Sequence, residues 1–213
     1  MDFMFTYERK NYEKLLRVKF KFKKLIQNMS CMFSCCYSLI SIDLSKVKSS
    51  KVNNMRYMFE SCTKLSKVNF TSFNTNKVVN MEGMFCYCMS LKSLDLSSFK
   101  TNKVINMSEM FKGCENLESI NLTSFNVKNV INMSSMFYWC SSLITLDLSS
   151  FNSCHVENIS YMFSHCYKLT YLDLSLFDIK GASVYKIFDS CIALTKENIN
   201  FKNKKYNIRK FGI

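Results

Sequence analysis

The chain has 213 residues, no proline and only four glycines. No segment therefore reads as a flexible link between domains, and one structural body is expected. Histidine occurs twice and no C-x-x-C pair is present, so the ligand spacing of a zinc site is missing and no metal is expected. A glycine-rich phosphate loop and a nucleophile elbow are also missing. The serines and aspartates that recur have no histidine recurring beside them, so no catalytic residue and no cofactor are expected, and the chain reads as a non-enzyme. No apolar run approaches membrane-spanning length. Residues 1–27 carry a charge every few positions and lack the apolar core of a secretion signal. Taken alone, the sequence points to an unexported, cytoplasmic chain.

What the sequence does have is a period. Asn28, Asn54, Asn80, Asn106, Asn132 and Asn158 stand 26 residues apart, and most positions between them recur. A unit of that size cannot bury its own apolar face and must bury it against copies of itself. The copy from Asn132 to Glu157 reads NMSSMFYWCSSLITLDLSSFNSCHVE. Its first half places Met133, Met136, Phe137, Cys140 and Leu143 on one side of a 3.6-residue period, which predicts a short helix. Asn132 then stands either at the N-cap of that helix or inward, bonding a loop backbone. The second half alternates apolar and polar through Leu146, Asp147, Leu148 and Ser149, which predicts a short strand. A polar return loop follows, anchored by Val156 and by Val52, Val78, Val104 and Val130 in other copies.

Leu143, Leu146, Leu148 and Phe151 match the leucine-rich-repeat core L-x-x-L-x-L-x-x-[NC], with Phe last. The longer run N-M-S-x-M-F-x-x-C-x-S-L-x-x-L-D-L-S-x-F-[ND] resembles the BspA-type leucine-rich-repeat surface proteins, from Asn28 to about Leu194. The resemblance implies cell-surface adhesion, with a protein or carbohydrate partner and no catalytic residues. The expected fold class is an α/β leucine-rich-repeat solenoid, with one short helix and one short parallel strand in each 26-residue unit. Residues 1–27 read as a degenerate basic N-terminal cap and residues 28–183 as six repeats. Residues 184–213 read as a partial seventh repeat that loses its strand pattern, followed by a basic C-terminal cap.

Two faces are candidate partner sites. On the strand face the central outward column is Asp43, Asn69, Asp95, Asn121, Asp147 and Asp173. It is flanked by Ser45, Thr71, Ser97, Thr123, Ser149 and Ser175 on one side, and by Ser41, Lys67, Ser93, Ser119, Thr145 and Tyr171 on the other. Such a face can hydrogen-bond a protein or glycan, and its residues can equally bond one another along the ladder. On the helix face the variable positions gather Tyr87, Tyr138, Trp139 and Tyr161, with Tyr57, His165 and Tyr167 nearby in register. Aromatics of this kind anchor interfaces when desolvated, or pack flat between neighbouring units.

Seven of eleven cysteines, Cys36, Cys62, Cys88, Cys114, Cys140, Cys166 and Cys191, share one column and read as buried structural thiols. Cys31, Cys35, Cys86 and Cys154 lie off it, where exposure and oxidation are open to them. The net charge of +13 is concentrated at the ends: eight basic against three acidic residues in 1–27, and six against one in 195–213. Runs such as KFKFKK from Lys19 and KNKK from Lys202 allow a second reading, non-specific binding of nucleic acid or anionic lipid by the ends. Lys51, Lys77 and Lys103 form a short basic column within the repeats.

Overall fold

The structure, a computed structural model, describes residues 2–8, 15–21, 25–151, 155–177 and 179–201. Among the described residues nine strands run in chain order: β1 (Asp2–Glu8), β2 (Leu15–Lys21), β3 (Leu39–Asp43), β4 (Lys67–Asn69), β5 (Ser93–Asp95), β6 (Ser119–Asn121), β7 (Thr145–Leu146), β8 (Tyr171–Leu174) and β9 (Ile199–Phe201). The strands of successive repeats pair parallel in short sheets, β3 with β4, β5 with β6, β7 with β8, and β8 with β9. At the N-terminus β1 and β2 form an antiparallel hairpin, and β1 adds antiparallel to β3. The segment expected to lose its strand pattern supplies β9, which follows a 3-10 turn at Lys196–Asn198.

The expected helix of each unit is absent. Among the described residues there is no α-helix, and no helix long and apolar enough to cross a membrane. The α/β leucine-rich-repeat fold class is therefore corrected to an all-β stack of turns and short parallel strands. The fifth copy shows the physical reason. Every second backbone N–H leaves its own unit: Met133, Ser135, Phe137 and Trp139 donate to the carbonyls of Asn158, Ser160, Met162 and Ser164 at 2.8–2.9 Å. The alternate N–H groups of Met136, Tyr138 and Cys140 close turns onto the carbonyls of Met133, Ser135 and Phe137, three residues back. An α-helix sends each N–H four residues back within one segment, and here those donors are already committed.

The turns require two residues per unit in the left-handed region, four positions apart. They are Ser135 (φ 56°) and Trp139 (φ 62°) in this copy, and the same two positions are left-handed in every copy from Cys31 and Cys35 to Lys186 and Ser190. A side chain there costs on the order of 1–2 kcal/mol, which the bonds to the neighbouring unit offset. The Asn column caps no helix and, as its second reading has it, bonds the backbone of the turn run. Each Asn Oδ1 accepts from the backbone N–H two residues on, Ser134 onto Asn132 at 3.0 Å and Ser30 onto Asn28 at 2.8 Å, opening the turn run as an Asx turn. The Asn backbones themselves bridge parallel from Asn28 through Asn158 to Ser183.

Inside, equivalent residues stack on one another. Phe33, Phe59, Phe85, Phe111, Phe137, Phe163 and Phe188 form a continuous pile of near-parallel rings, with centroids 5.4–5.9 Å apart. Such pairs add about 0.5–1.5 kcal/mol each beyond the burial of their area. Columns of Met, Leu and Val surround the pile and are buried. The return loops join through hydroxyls, with the N–H of Lys100 and Asn126 donating to Thr75 and Thr101 Oγ1 at 2.7 Å.

Candidate functional site

On the strand face the central column has a backbone task. Asp43, Asn69, Asp95, Asn121, Asp147 and Asp173 each accept through Oδ1 the N–H two residues on, at 2.7–3.0 Å. These are Asx turns that end each strand, so Asp and Asn alternate freely because both offer the same oxygen. The backbone N–H of Ser97 holds the Asp95 carboxyl below its ordinary range, and that of Ser149 does the same for Asp147. At Asp173 the Ser175 hydroxyl is the larger cause, with the Ser175 N–H beside it. These carboxylates are ionised at neutral pH and each is exposed.

Two neighbouring polar columns of this face turn apolar at one place. Tyr171 stands where the preceding four strands carry Lys67, Ser93, Ser119 and Thr145, and Leu176 stands where four copies carry Ser72, Ser98, Ser124 and Ser150. Both are about half exposed, at 50% and 48%. They border a cavity of about 340 Å³ between the fifth and sixth units, lined also by Thr145, Asp147, Ser149, Asp173 and Ser175. No basic residue lines it. Two carboxylates, a phenol ring, three aliphatic hydroxyls and the leucines Leu146, Leu148 and Leu176 can together grip a ligand that has hydrogen-bond donors on one side and an apolar surface on the other. Tyr171 was legible as a member of its column. Leu176 was not singled out, although its column of serines carried the signal.

The turn face holds the second constellation. Trp139, Tyr161 and His165 occupy left-handed positions. Tyr138 meets Trp139 at 5.8 Å, Tyr161 at 6.3 Å and His165 at 5.3 Å between ring centroids, and Tyr185 joins Tyr161 at 5.3 Å. Tyr138, Trp139 and Tyr161 are thus brought together, on a run of turns instead of the expected helix. Tyr87 lies apart, against Gly113. Lys112 Nζ links the two parts, lying 5.9 Å from the Tyr87 ring and 5.8 Å from that of Tyr138. Tyr185 had no signal in the unbroken period, because the seventh copy has lost one residue.

The cysteine column is a hydrogen-bonded ladder. The Sγ–H of Cys62, Cys88, Cys114, Cys140, Cys166 and Cys191 donates to the carbonyl of a Phe in the preceding unit, at 2.8–3.2 Å. Burial raises these thiols, Cys62 and Cys191 to about 12. Cys36, the first of the column, is exposed, as are Cys31 and Cys35. Cys86 differs from its expectation: it is buried, and burial pushes it up to about 12. Cys154 and the run from Lys202 lie outside the described residues, as do the side chains of the run from Lys19.

No curated protein and no solved structure matches the chain. One family model matches it three times in overlapping segments, residues 1–119, 66–176 and 89–201, as an internally repeated chain produces. Those segments take in all the repeats described above, and the chain belongs to the family described as Mycoplasma protein of unknown function, DUF285.

Proposed function

We propose that the chain is a non-catalytic binding scaffold that takes a protein or glycan partner on its strand face, at the cavity between the fifth and sixth units. The coincident departure of Tyr171 and Leu176 from their columns carries this reading. Duplication alone reproduces a column, and two neighbouring exceptions that wall a cavity require a further cause. The resemblance of the repeat motif to BspA-type surface proteins supports an adhesion role at a cell surface. The nearest approach to a catalytic pair, Ser164 Oγ and His165 Nδ1 at 2.8 Å, has its serine fully buried and beyond the reach of a substrate.

The repeat supplies its own controls. Tyr171→Ser with Leu176→Ser restores residues that other copies carry at these positions. Glycan and protein arrays probed with the native chain and with this variant form the test. Binding that disappears in the variant supports the reading, and equal binding by both removes the strand-face site. The aromatic group on the turn face favours a second reading, and Trp139→Ser in the same arrays separates the two. Protease shaving of intact source cells, with a cytoplasmic marker as leakage control, tests the surface address.

A further inference from the structure

The return loops form a third face whose composition is unlike the rest of the chain. Segments 46–53, 72–79, 98–105 and 124–131 lie side by side, joined by N–H bonds from Val79 to Asn53, Ile105 to Val79 and Ile131 to Ile105 at 2.8–3.0 Å. They contain Lys46, Lys48 and Lys51 in the first, Lys77 in the second, Lys100 and Lys103 in the third and Lys128 in the fourth, and no acidic residue in any. The acidic residues of the first four repeats all lie elsewhere, and the fifth return loop brings in Glu157. Lys51, Lys77 and Lys103 take part in none of the ion pairs among the described residues.

Two positions on from this lysine column, past a buried valine, runs a column that reads Asn53, Val79, Ile105, Ile131 and Glu157. Its three middle members are exposed branched aliphatics, at 37%, 44% and 42%. Neighbouring units stand about 4.8 Å apart, so three apolar side chains form a strip on the order of 10 Å long, with cationic side chains along its border. An isolated exposed aliphatic is ordinary on a protein surface. Three in consecutive units, beside lysines and with a carboxylate, Glu157, only at the far end of the column, are a repeated amphipathic arrangement.

We propose that this return-loop face docks on an anionic lipid bilayer, with Val79, Ile105 and Ile131 entering the headgroup region and Lys51, Lys77 and Lys103 resting on lipid phosphates. Bilayers select this combination, because aliphatic insertion and attraction to acidic headgroups add. Nucleic acid is the competing polyanion. It would draw on aromatic stacking and arginine, and this face offers neither: its phenylalanines, Phe73, Phe99 and Phe125, are buried. The inference is independent of the strand-face site.

Sedimentation with phosphatidylcholine vesicles, with and without about one third phosphatidylglycerol, tests it on the full chain. Two variants borrow residues from other units: Val79→Asn, Ile105→Asn and Ile131→Asn together, as at Asn53, and Lys77→Asn with Lys103→Asn, as at Asn129. The native chain should sediment with the anionic vesicles and not the neutral ones, and each variant should bind at least tenfold more weakly while melting as a folded chain. Native-level binding by the variants would overturn the proposal and assign attraction to the basic ends, which all three chains share. Failure of the native chain to sediment would overturn it outright. Binding to a single-stranded oligonucleotide with the same loss in both variants, and none to vesicles, would replace it with a nucleic-acid site.

Discussion

The ring of Tyr57 lies over Gly83 and fills the volume that a β-carbon on Gly83 would need. The two residues stand in one column, one unit apart, and Tyr87 covers Gly113 in the same way. The Tyr57 hydroxyl then donates towards the carboxylates of Glu82 at 3.2 Å and Glu109 at 3.3 Å. Gly83 also holds φ at +57°, so a substitution there meets both backbone strain and a ring. Gly83→Ala is expected to destabilise by about 2–4 kcal/mol in urea unfolding. In a Tyr57→Ser background the cost should fall to about 1 kcal/mol, the left-handed penalty alone. Equal costs in both backgrounds would show that the ring moves aside freely.

Turns and helices respond to glycine with opposite signs. At Ser135, which is left-handed, glycine relieves strain, so Ser135→Gly should be neutral or stabilise by up to about 1 kcal/mol. In a helix the same change would cost roughly 0.5 kcal/mol. Ser135→Val should cost on the order of 2 kcal/mol, since a branched side chain is least tolerated at positive φ. Thermal melting of the pair distinguishes the two local structures without a new structure determination.

Because the thiol ladder is protonated and buried, alkali should loosen the stack. Folded-state values near 12 for Cys62 and Cys191, against 9.0 for the free thiol, mean that above about pH 9 the unfolded chain holds fewer protons than the folded one. Stability is therefore complete below that pH and falls as pH rises towards 12. Melting temperature should decline steeply above pH 9, and less steeply in Cys62→Ser. Thiol labelling of the native chain at pH 8 should mark Cys31, Cys35 and Cys36 quickly, and leave the ladder cysteines for the denatured chain.

Asp147 serves the backbone through one oxygen, which an amide also provides. Asp147→Asn should leave stability unchanged to within about 0.5 kcal/mol, whereas Asp147→Ala should cost about 1 kcal/mol by orphaning the Ser149 N–H. The carboxyl is held below its ordinary range, so the charged form's small contribution is present above the unfolded value and disappears as pH falls through the folded one. Asn at this position also gives the cleanest test of charge in partner binding, because the turn survives.

Much of this is legible in the sequence. The unit length, the inward columns of Met, Phe, Cys and Leu, the strand at Leu146 and the outward Asp and Asn column all follow from periodicity. The spacing does not separate a helix from the turns, because Met133, Met136, Phe137 and Cys140 are buried equally well from a run of tight turns. A residual signal lies in the fourteen left-handed positions of the turn runs, which include Gly83 and Gly113 and contain no Val, Ile or Thr. Strain tolerance leaves that mark, and hydrophobic spacing does not record it. The cavity beside Tyr171 was legible only as two columns interrupted side by side, and the turn-face cluster needed the register shift at Ser183 to bring Tyr185 in.

In the turn runs each unit gives its alternate N–H groups to the unit that follows, while the return loops and the thiols of the ladder reach to the unit before. No bond in the stack therefore counts how many units there are. Twenty-six residues can enter or leave the gene between any two copies and the joint heals with the same donors, acceptors and stacked rings. Length is free to vary in whole steps, while the departures at Tyr171, Leu176 and Trp139 can be moved, lost or doubled with the unit that carries them.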